Sequence, residues 1–182
     1  MSELIFEKDV TWNEIFDAWR ERERDWGWED VWRERGYDSW DAWRMTYVQQ
    51  FGLDERLWKL YRIVDPPLFV PEVWGGGYTG WKRYVPQGST KARFKQIVLD
   101  SELPKNGKVK DMLLHPPSET TVILIQYLDQ FVAFEGMHRL SAIALAAAQG
   151  NRFDIDVSAA VAKIDDAELF ERLCSGIKTK IS

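Results

Sequence analysis

The segment 121–150 constrains the fold more than any other part of the chain. It begins with TVILIQYL (121–128), a run rich in β-branched residues, and continues after two residues with FVAFE (131–135). Two such runs joined by so short a connection predict a β-hairpin. An Ala-rich stretch over 140–149 follows, and Gly150 stands where a glycine commonly ends a helix. The chain must therefore combine strands with helices.

The residues around this segment extend the same pattern. Alternating apolar residues predict a strand over 154–163, and a final helix is expected over 166–174. Prolines and glycines between 62 and 88 exclude a long helix there, and residues 68–70 are expected to form a short strand. A helix is predicted over 90–101. The last two thirds of the chain thus predict a small mixed sheet with helices packed on it.

Ten tryptophans mark the front of the chain, and all of them precede residue 82. Thr11 and Glu14 form a capping-box pattern ahead of a helical run. Further short helices are predicted over 28–35, 39–51 and 54–61. Tryptophans at helical spacing are more often core than ligand contacts, so we expect these helices to bury them.

These patterns predict the α+β fold class, with a Trp-rich helical extension (1–62) packed on a mixed-sheet core (63–182) as one compact unit. A single cysteine excludes a disulfide framework, and two histidines are too few for a typical zinc site. No apolar stretch is long enough to span a bilayer, and the N-terminus lacks the pattern of a secretion signal. We therefore expect a soluble, cytoplasmic protein without a membrane partner.

The charge distribution gives little support to nucleic-acid binding. The chain has a net charge of −5 and no broad basic surface pattern. Residues 91–110 are a local exception that is rich in lysine. This segment is either a solvated helix face and loop or an anion-binding patch, and both interpretations remain open.

The strongest candidate for chemistry is the turn that joins the hairpin to the Ala-rich helix. A strand that ends at Glu135 and passes through Gly136 into a helix places free backbone N–H groups and the helix dipole at one point. Arg139 adds a bidentate donor, and His138 adds a group that titrates near neutral pH. The turn is therefore a candidate phosphate site.

Residues 131–150, FVAFEGMHRLSAIALAAAQG, resemble the nucleotide-contacting segment of the ParB/sulfiredoxin superfamily. The resemblance extends over about 65–164, although only the Gly-x-His-Arg turn is specific. It implies a ParB/sulfiredoxin-like core that binds ATP or another nucleoside triphosphate. The residues implied to contact the phosphates are Gly136, Met137, His138 and Arg139.

The resemblance also implies catalytic groups. In the free-serine-kinase branch an acidic residue precedes the turn, which Glu135 matches, and Glu72 is a loose match to a second catalytic glutamate. Glu135 would hold Mg²⁺ between phosphate oxygens, and Lys91 and Lys95 would add phosphate contacts. Met137 stands where sulfiredoxin has its catalytic cysteine, which argues against sulfiredoxin chemistry. The candidate catalytic residues are Glu135, Glu72 and His138.

The sequence thus favours a nucleotide-binding NTPase or a small-molecule phosphotransferase, with a nucleotide and a small acceptor as partners. Two alternatives stay open. One is a DNA-associated nuclease or plasmid regulator of the same superfamily. The other is a non-catalytic protein-binding module that uses exposed tryptophans of the helical extension.

Overall fold

One sheet organises the chain. The computed structural model describes residues 4–25, 31–151 and 155–177. The strands in these ranges are β1 (Leu4–Val10), β2 (Trp58–Ile63), β3 (Glu119–Tyr127), β4 (Gln130–Glu135) and β5 (Asp156–Ile164). The α-helices are α1 (Trp12–Asp25), α2 (Val31–Glu34), α3 (Trp40–Gln49), α4 (Pro66–Phe69), α5 (Phe94–Ile97), α6 (Gly107–Leu114), α7 (Met137–Ala148) and α8 (Ala167–Ser175). Among the described residues, no helix has both the length and the apolarity that a bilayer crossing requires.

The five strands lie in the order β1-β2-β5-β3-β4. The hairpin strands β3 and β4 pair antiparallel, as expected, and β3 pairs parallel with β5. The strands β5, β2 and β1 then pair antiparallel. The mixed sheet is therefore built from both ends of the chain, with β5 at its centre.

Helices cover both faces of this sheet, and β3 shows how the faces divide. Val122 and Leu124 belong to a core cluster with α5, α6 and α7. Ile123 and Ile125 belong to a second cluster with α1, α3 and α8. Successive side chains of a strand point to opposite faces, so a continuous apolar run is what a strand buried on both faces requires.

The tryptophans serve mainly as core, as expected. Of the eight in the described residues, six are buried: Trp12, Trp19, Trp40, Trp43, Trp58 and Trp81. Trp26 and Trp28 lie outside the described residues. Aromatic pairs such as Trp19 with Phe134 join the front helices directly to the hairpin, with ring centroids 5.9 Å apart.

Several local predictions are confirmed. The Thr11 N–H donates to Glu14 at 2.7 Å, while Thr11 Oγ1 accepts from the Glu14 N–H at 3.3 Å, which completes the capping box before α1. Ser39 caps α3 by accepting from the Ala42 N–H at 3.0 Å. The hairpin, α7, β5 and α8 lie within a few residues of their predicted bounds.

The front of the chain is not wholly helical. The helix predicted over 54–61 is wrong, because Trp58 begins β2, which pairs with β5. Residues 4–10 likewise form β1, and the predicted boundary between 62 and 63 falls inside β2. Part of the predicted helix over 28–35 lies outside the described residues, and the rest is α2. The helical extension therefore contributes two strands to the common sheet.

Two predictions in the middle of the chain are also corrected. Residues 68–70 are not a strand, because Asp65 caps α4 by accepting from the Leu68 N–H at 3.2 Å. Only the single turn of α5 forms within the helix predicted over 90–101. The carbonyl oxygen of Ala92 accepts from the Gly75 N–H at 2.9 Å instead of from a helical N–H. The sequence pattern also did not predict α6, whose N-terminus Asn106 caps.

Candidate functional site

The turn between β4 and α7 has the backbone that the sequence suggested. Gly136 precedes α7 with φ 101° and ψ 17°, in the left-handed region that favours glycine. A Cβ at this position would lie 2.6 Å from Val122 Cγ1. The first turn of α7 has no side-chain cap, and its first intrahelical bond runs from the Leu140 N–H to Gly136 O at 2.9 Å. The preceding N–H groups of α7 are thus placed to meet a ligand.

Arg139 is turned towards the sheet as well as towards the site. Its Nη1 donates to Thr120 Oγ1 and to Thr121 O, both at 2.7 Å, and its Nη2 donates to Glu135 Oε1. The side chain is only 2% exposed. Arg139 therefore anchors the start of α7 to β3, a structural role that the phosphate-contact prediction did not include.

A cavity of about 200 Å³ lies in front of this turn. The described residues that line it come from the turn itself, from 78–81 and from the front helices. Seven of the sixteen belong to α1, to α3 or to the residue that follows α2: Trp19, Arg22, Glu23, Arg35, Trp43, Arg44 and Tyr47. The Trp-rich segment therefore builds one wall of the site instead of serving only as a support.

A buried ion pair fixes that wall. Both carboxylate oxygens of Glu23 accept from Arg44, one from Nε at 2.8 Å and the other from Nη2. Glu23 also accepts from the indole N–H of Trp19 at 3.0 Å and from that of Trp40 at 2.6 Å. The Arg44 guanidinium lies 3.6 Å from the ring centroid of Trp43. The pair thus ties α1 to α3 and hydrogen-bonds two of the tryptophans.

Positive charge exceeds negative charge around the cavity. Its described lining contains four arginines and two glutamates, an excess of two positive charges. Among the described residues, the Nε of Arg22 is buried without a hydrogen-bond partner, and its Nη2 lies 3.4 Å from Glu135 Oε2. Burial lowers the pKa of Arg22, and the charge of Glu135 only partly opposes this. An anion in the cavity would stabilise this guanidinium.

Glu135 is held as a carboxylate. Burial alone would raise its pKa, but the guanidinium groups of Arg139 and Arg22 outweigh burial and leave the pKa lowered. A group held ionised in this way is poorly suited to donate a proton near neutral pH. Its established role in the structure is to pair with both arginines.

His138 borders the cavity as a neutral imidazole. Burial and, to a smaller extent, the charge of Lys108 lower the pKa of His138 to about 4. Its ring lies edge-on to Trp81, with centroids 4.9 Å apart. At neutral pH it therefore offers one N–H donor and one acceptor nitrogen and no charge.

The low pKa of His138 predicts a pH-dependent stability. An unfolded histidine has a pKa of about 6.5, so protonation between pH 6.5 and 4 favours the unfolded chain. Stability present above pH 6.5 is therefore lost as the pH falls, by about 2 kcal/mol between pH 7 and pH 5. Urea denaturation at both pH values should show this loss, and His138→Asn should reduce it. The matched control is His115→Asn at an exposed histidine, and an equal pH effect in both variants would contradict the assignment.

The other predicted site residues lie elsewhere. Glu72 is exposed and accepts from Arg93 at 2.7 Å and from Lys95 at 2.9 Å, and hydrogen bonding from Lys95 is the main reason its pKa is lowered. Lys91 pairs with Glu171. None of these groups is among the described residues that line the cavity. Roles for Glu72, Lys91 and Lys95 at the turn remain predictions that this geometry does not favour.

The donor set does not fit a metal at Glu135. Its Oε1 accepts from Arg139 and its Oε2 from Arg22, so a cation would have to displace both guanidinium groups. Within the described ranges, no three His, Cys, Asp or Glu side chains form a group suited to a metal ion. We therefore assign no step to Mg²⁺.

Sequence reasoning missed the arginines of the front helices. Arg22 follows Trp19 by three residues and Arg44 follows Trp40 by four, so each shares a helix face with a buried tryptophan. That spacing could have marked both arginines as inward-facing. Comparisons of the chain with protein-family models, curated proteins and solved structures found no match.

Proposed function

We propose that this protein binds a phosphorylated ligand and holds its phosphoryl group in the cavity at the start of α7. The observation behind the proposal is the excess of two positive charges in the described cavity lining. A phosphate monoester carries about −1.5 to −2 charges at pH 7, which matches this excess. A carboxylate, with a single charge, would neutralise only half of it.

The geometry supplies donors for such a group. The uncapped first turn of α7 presents backbone N–H groups and the positive end of the helix dipole. The buried Nε of Arg22 lacks a partner among the described residues. Arg35 donates a long 3.5 Å bond to Tyr47 Oη and stacks over the Trp43 ring, 4.8 Å from its centroid. Neutral His138 can donate without adding charge. Charge-assisted bonds of this kind bind phosphate strongly.

The family resemblance suggests a nucleotide, which would be one particular kind of phosphorylated ligand. A cavity of about 200 Å³ is smaller than the roughly 300–1,000 Å³ of sites that enclose drug-sized ligands. A nucleoside triphosphate could place only phosphates inside it. NTPase or phosphotransferase activity would further need a base, and Glu135 is engaged with two arginines. The proposal is therefore limited to binding.

The alternatives gain no specific support. The basic segment 91–110 is largely paired with acidic groups: Lys91 with Glu171, Arg93 and Lys95 with Glu72, and Lys105 with Glu102. Such pairing weakens the case for a DNA-binding patch. Burial of most described tryptophans likewise leaves few of them for a protein-binding surface.

Arg22→Ala tests the proposal. The variant should bind inorganic phosphate and pyrophosphate roughly 10- to 100-fold more weakly than wild type, because one charge-assisted hydrogen bond is lost. Isothermal titration calorimetry at fixed salt measures this change. Arg62→Ala, at an exposed arginine of β2 outside the cavity, is the matched control. Undetectable phosphate binding by the folded wild-type protein would refute the proposal.

A further inference from the structure

We infer that the preferred ligand is a small aromatic phosphate monoester, with its phosphate at the start of α7 and its ring against the aromatic walls of the cavity. This inference rests on the proposed function and narrows the ligand class. Three features of the cavity support it: its size, the makeup of its walls and the state of the polar atoms in those walls.

Size sets the upper limit. The volume of about 200 Å³ is smaller than the roughly 300–1,000 Å³ of sites that enclose drug-sized ligands, so the cavity encloses only a small ligand such as a phosphate attached to a single ring. A nucleoside triphosphate is much larger, so most of it would remain outside and gain little from the enclosed surface.

The walls away from the charges are aromatic. Six of the sixteen described lining residues are aromatic: Trp19, Trp43, Tyr47, Tyr78, Trp81 and Phe134. Tyr47, Tyr78 and Phe134 form a continuous series, with ring centroids 5.9 and 6.5 Å apart. Trp81 also lines the cavity, and its ring lies beside that of His138. Aromatic surfaces arranged in this way favour a planar apolar group.

Several polar atoms of these walls are already engaged within the protein. Tyr78 Oη donates to Phe134 O, and the Trp43 indole N–H donates to Tyr47 Oη at 3.1 Å. The Trp19 indole N–H donates to Glu23. Much of the wall surface that a ligand would meet is therefore carbon.

Small neutral polar side chains are missing from the described lining, which contains no Ser, Thr, Asn or Gln. Away from His138 and the charged groups, the hydroxyl groups of a sugar or the edge of a base would lose water and find few partners, which is costly. The same walls accept an apolar ring without that cost. The cavity thus selects against sugar phosphates and nucleotides.

A ligand series on the wild-type protein tests the inference. The probes are inorganic phosphate, phenyl phosphate, ribose 5-phosphate, AMP and ATP, measured by calorimetry in one buffer. Phenyl phosphate should bind roughly 10- to 100-fold tighter than inorganic phosphate, the effect expected for burying an aromatic ring. Ribose 5-phosphate, AMP and ATP should show no comparable gain.

A variant separates the ring from the phosphate. Trp81→Leu should reduce the ratio of the phenyl phosphate affinity to the inorganic phosphate affinity, with both ligands measured on the same variant. If inorganic phosphate binds but phenyl phosphate binds no tighter, or if AMP or ATP binds tightest, the inference is overturned and the proposed function stands. If no phosphate compound binds, both fail.

Discussion

Replacing Glu23 with alanine is expected to lower the free energy of unfolding by about 3–5 kcal/mol, one of the two largest effects that this structure predicts. The carboxylate accepts both hydrogen bonds of Arg44 and one from each of two tryptophans. Arg44 is only 8% exposed, so removing Glu23 takes away the two hydrogen bonds that this carboxylate accepts from a buried guanidinium. Two buried indole N–H groups lose their acceptor at the same time.

The cost depends on burial, and an exposed ion pair provides the matched control. Glu102 pairs with Lys105 at 2.6 Å, and both side chains are exposed. Glu102→Ala should therefore change stability by only about 0–1 kcal/mol. Urea denaturation followed by tryptophan fluorescence and by circular dichroism measures both variants. Losses of similar size would show that the buried pair does not hold α1 against α3.

Replacing Gly136 with alanine is expected to cost about 2–4 kcal/mol. The backbone φ of 101° disfavours any residue with a Cβ, by about 1–2 kcal/mol. The new methyl group would also lie 2.6 Å from Val122 Cγ1, and Val122 is a fully buried, β-branched residue of β3 that has little room to move. The backbone strain at residue 136 and the steric overlap with Val122 therefore both lower the free energy of unfolding.

Gly150 separates the two contributions. It follows the other end of α7 with φ 75°, and a Cβ there would meet nothing within 4 Å. Gly150→Ala should thus show the backbone cost alone, about 1 kcal/mol. In a Val122→Ala background, Gly136→Ala should cost less stability than it does in the wild-type protein. Equal losses at the two glycines would contradict the predicted clash.

The later part of the chain could be predicted from the sequence because its determinants are local. The runs 121–128 and 131–135 are β-prone, and the connection between them is too short for any arrangement except a hairpin. The Ala-rich run before Gly150 favours a helix by intrinsic propensity. Such features need no knowledge of distant contacts.

The two front strands could not be predicted in the same way. Strand β2 reads WKLYRI, with charged residues between apolar ones, and Asp54 before it resembles a helix cap. Trp58 is placed in a strand by its pairing with Ala162, about a hundred residues away. Tertiary pairing of this kind overrides local preference.

The candidate site likewise could be predicted only in part. The turn around Gly136 follows from the local sequence, whereas the cavity depends on which arginines of the front helices face it. Arg20 and Arg22 are two residues apart, yet Arg20 pairs with Asp41 at 2.7 Å and Arg22 faces Glu135. A residue pattern with many arginines does not distinguish them, because packing decides which ones point inward.

The central position of β5 also has a consequence for how the protein is made. Among the described strands, β5 is the last along the chain, and within that set the β1–β2 ladder joins the β3–β4 hairpin only through it. A ribosome that has released the front helices and the hairpin has therefore not yet released the strand that joins them. Contacts with such long sequence separation slow folding and leave apolar surface exposed in the meantime. We expect the emerging chain to need protection until β5 is free to insert, and the first 62 residues expressed alone to lack a stable sheet.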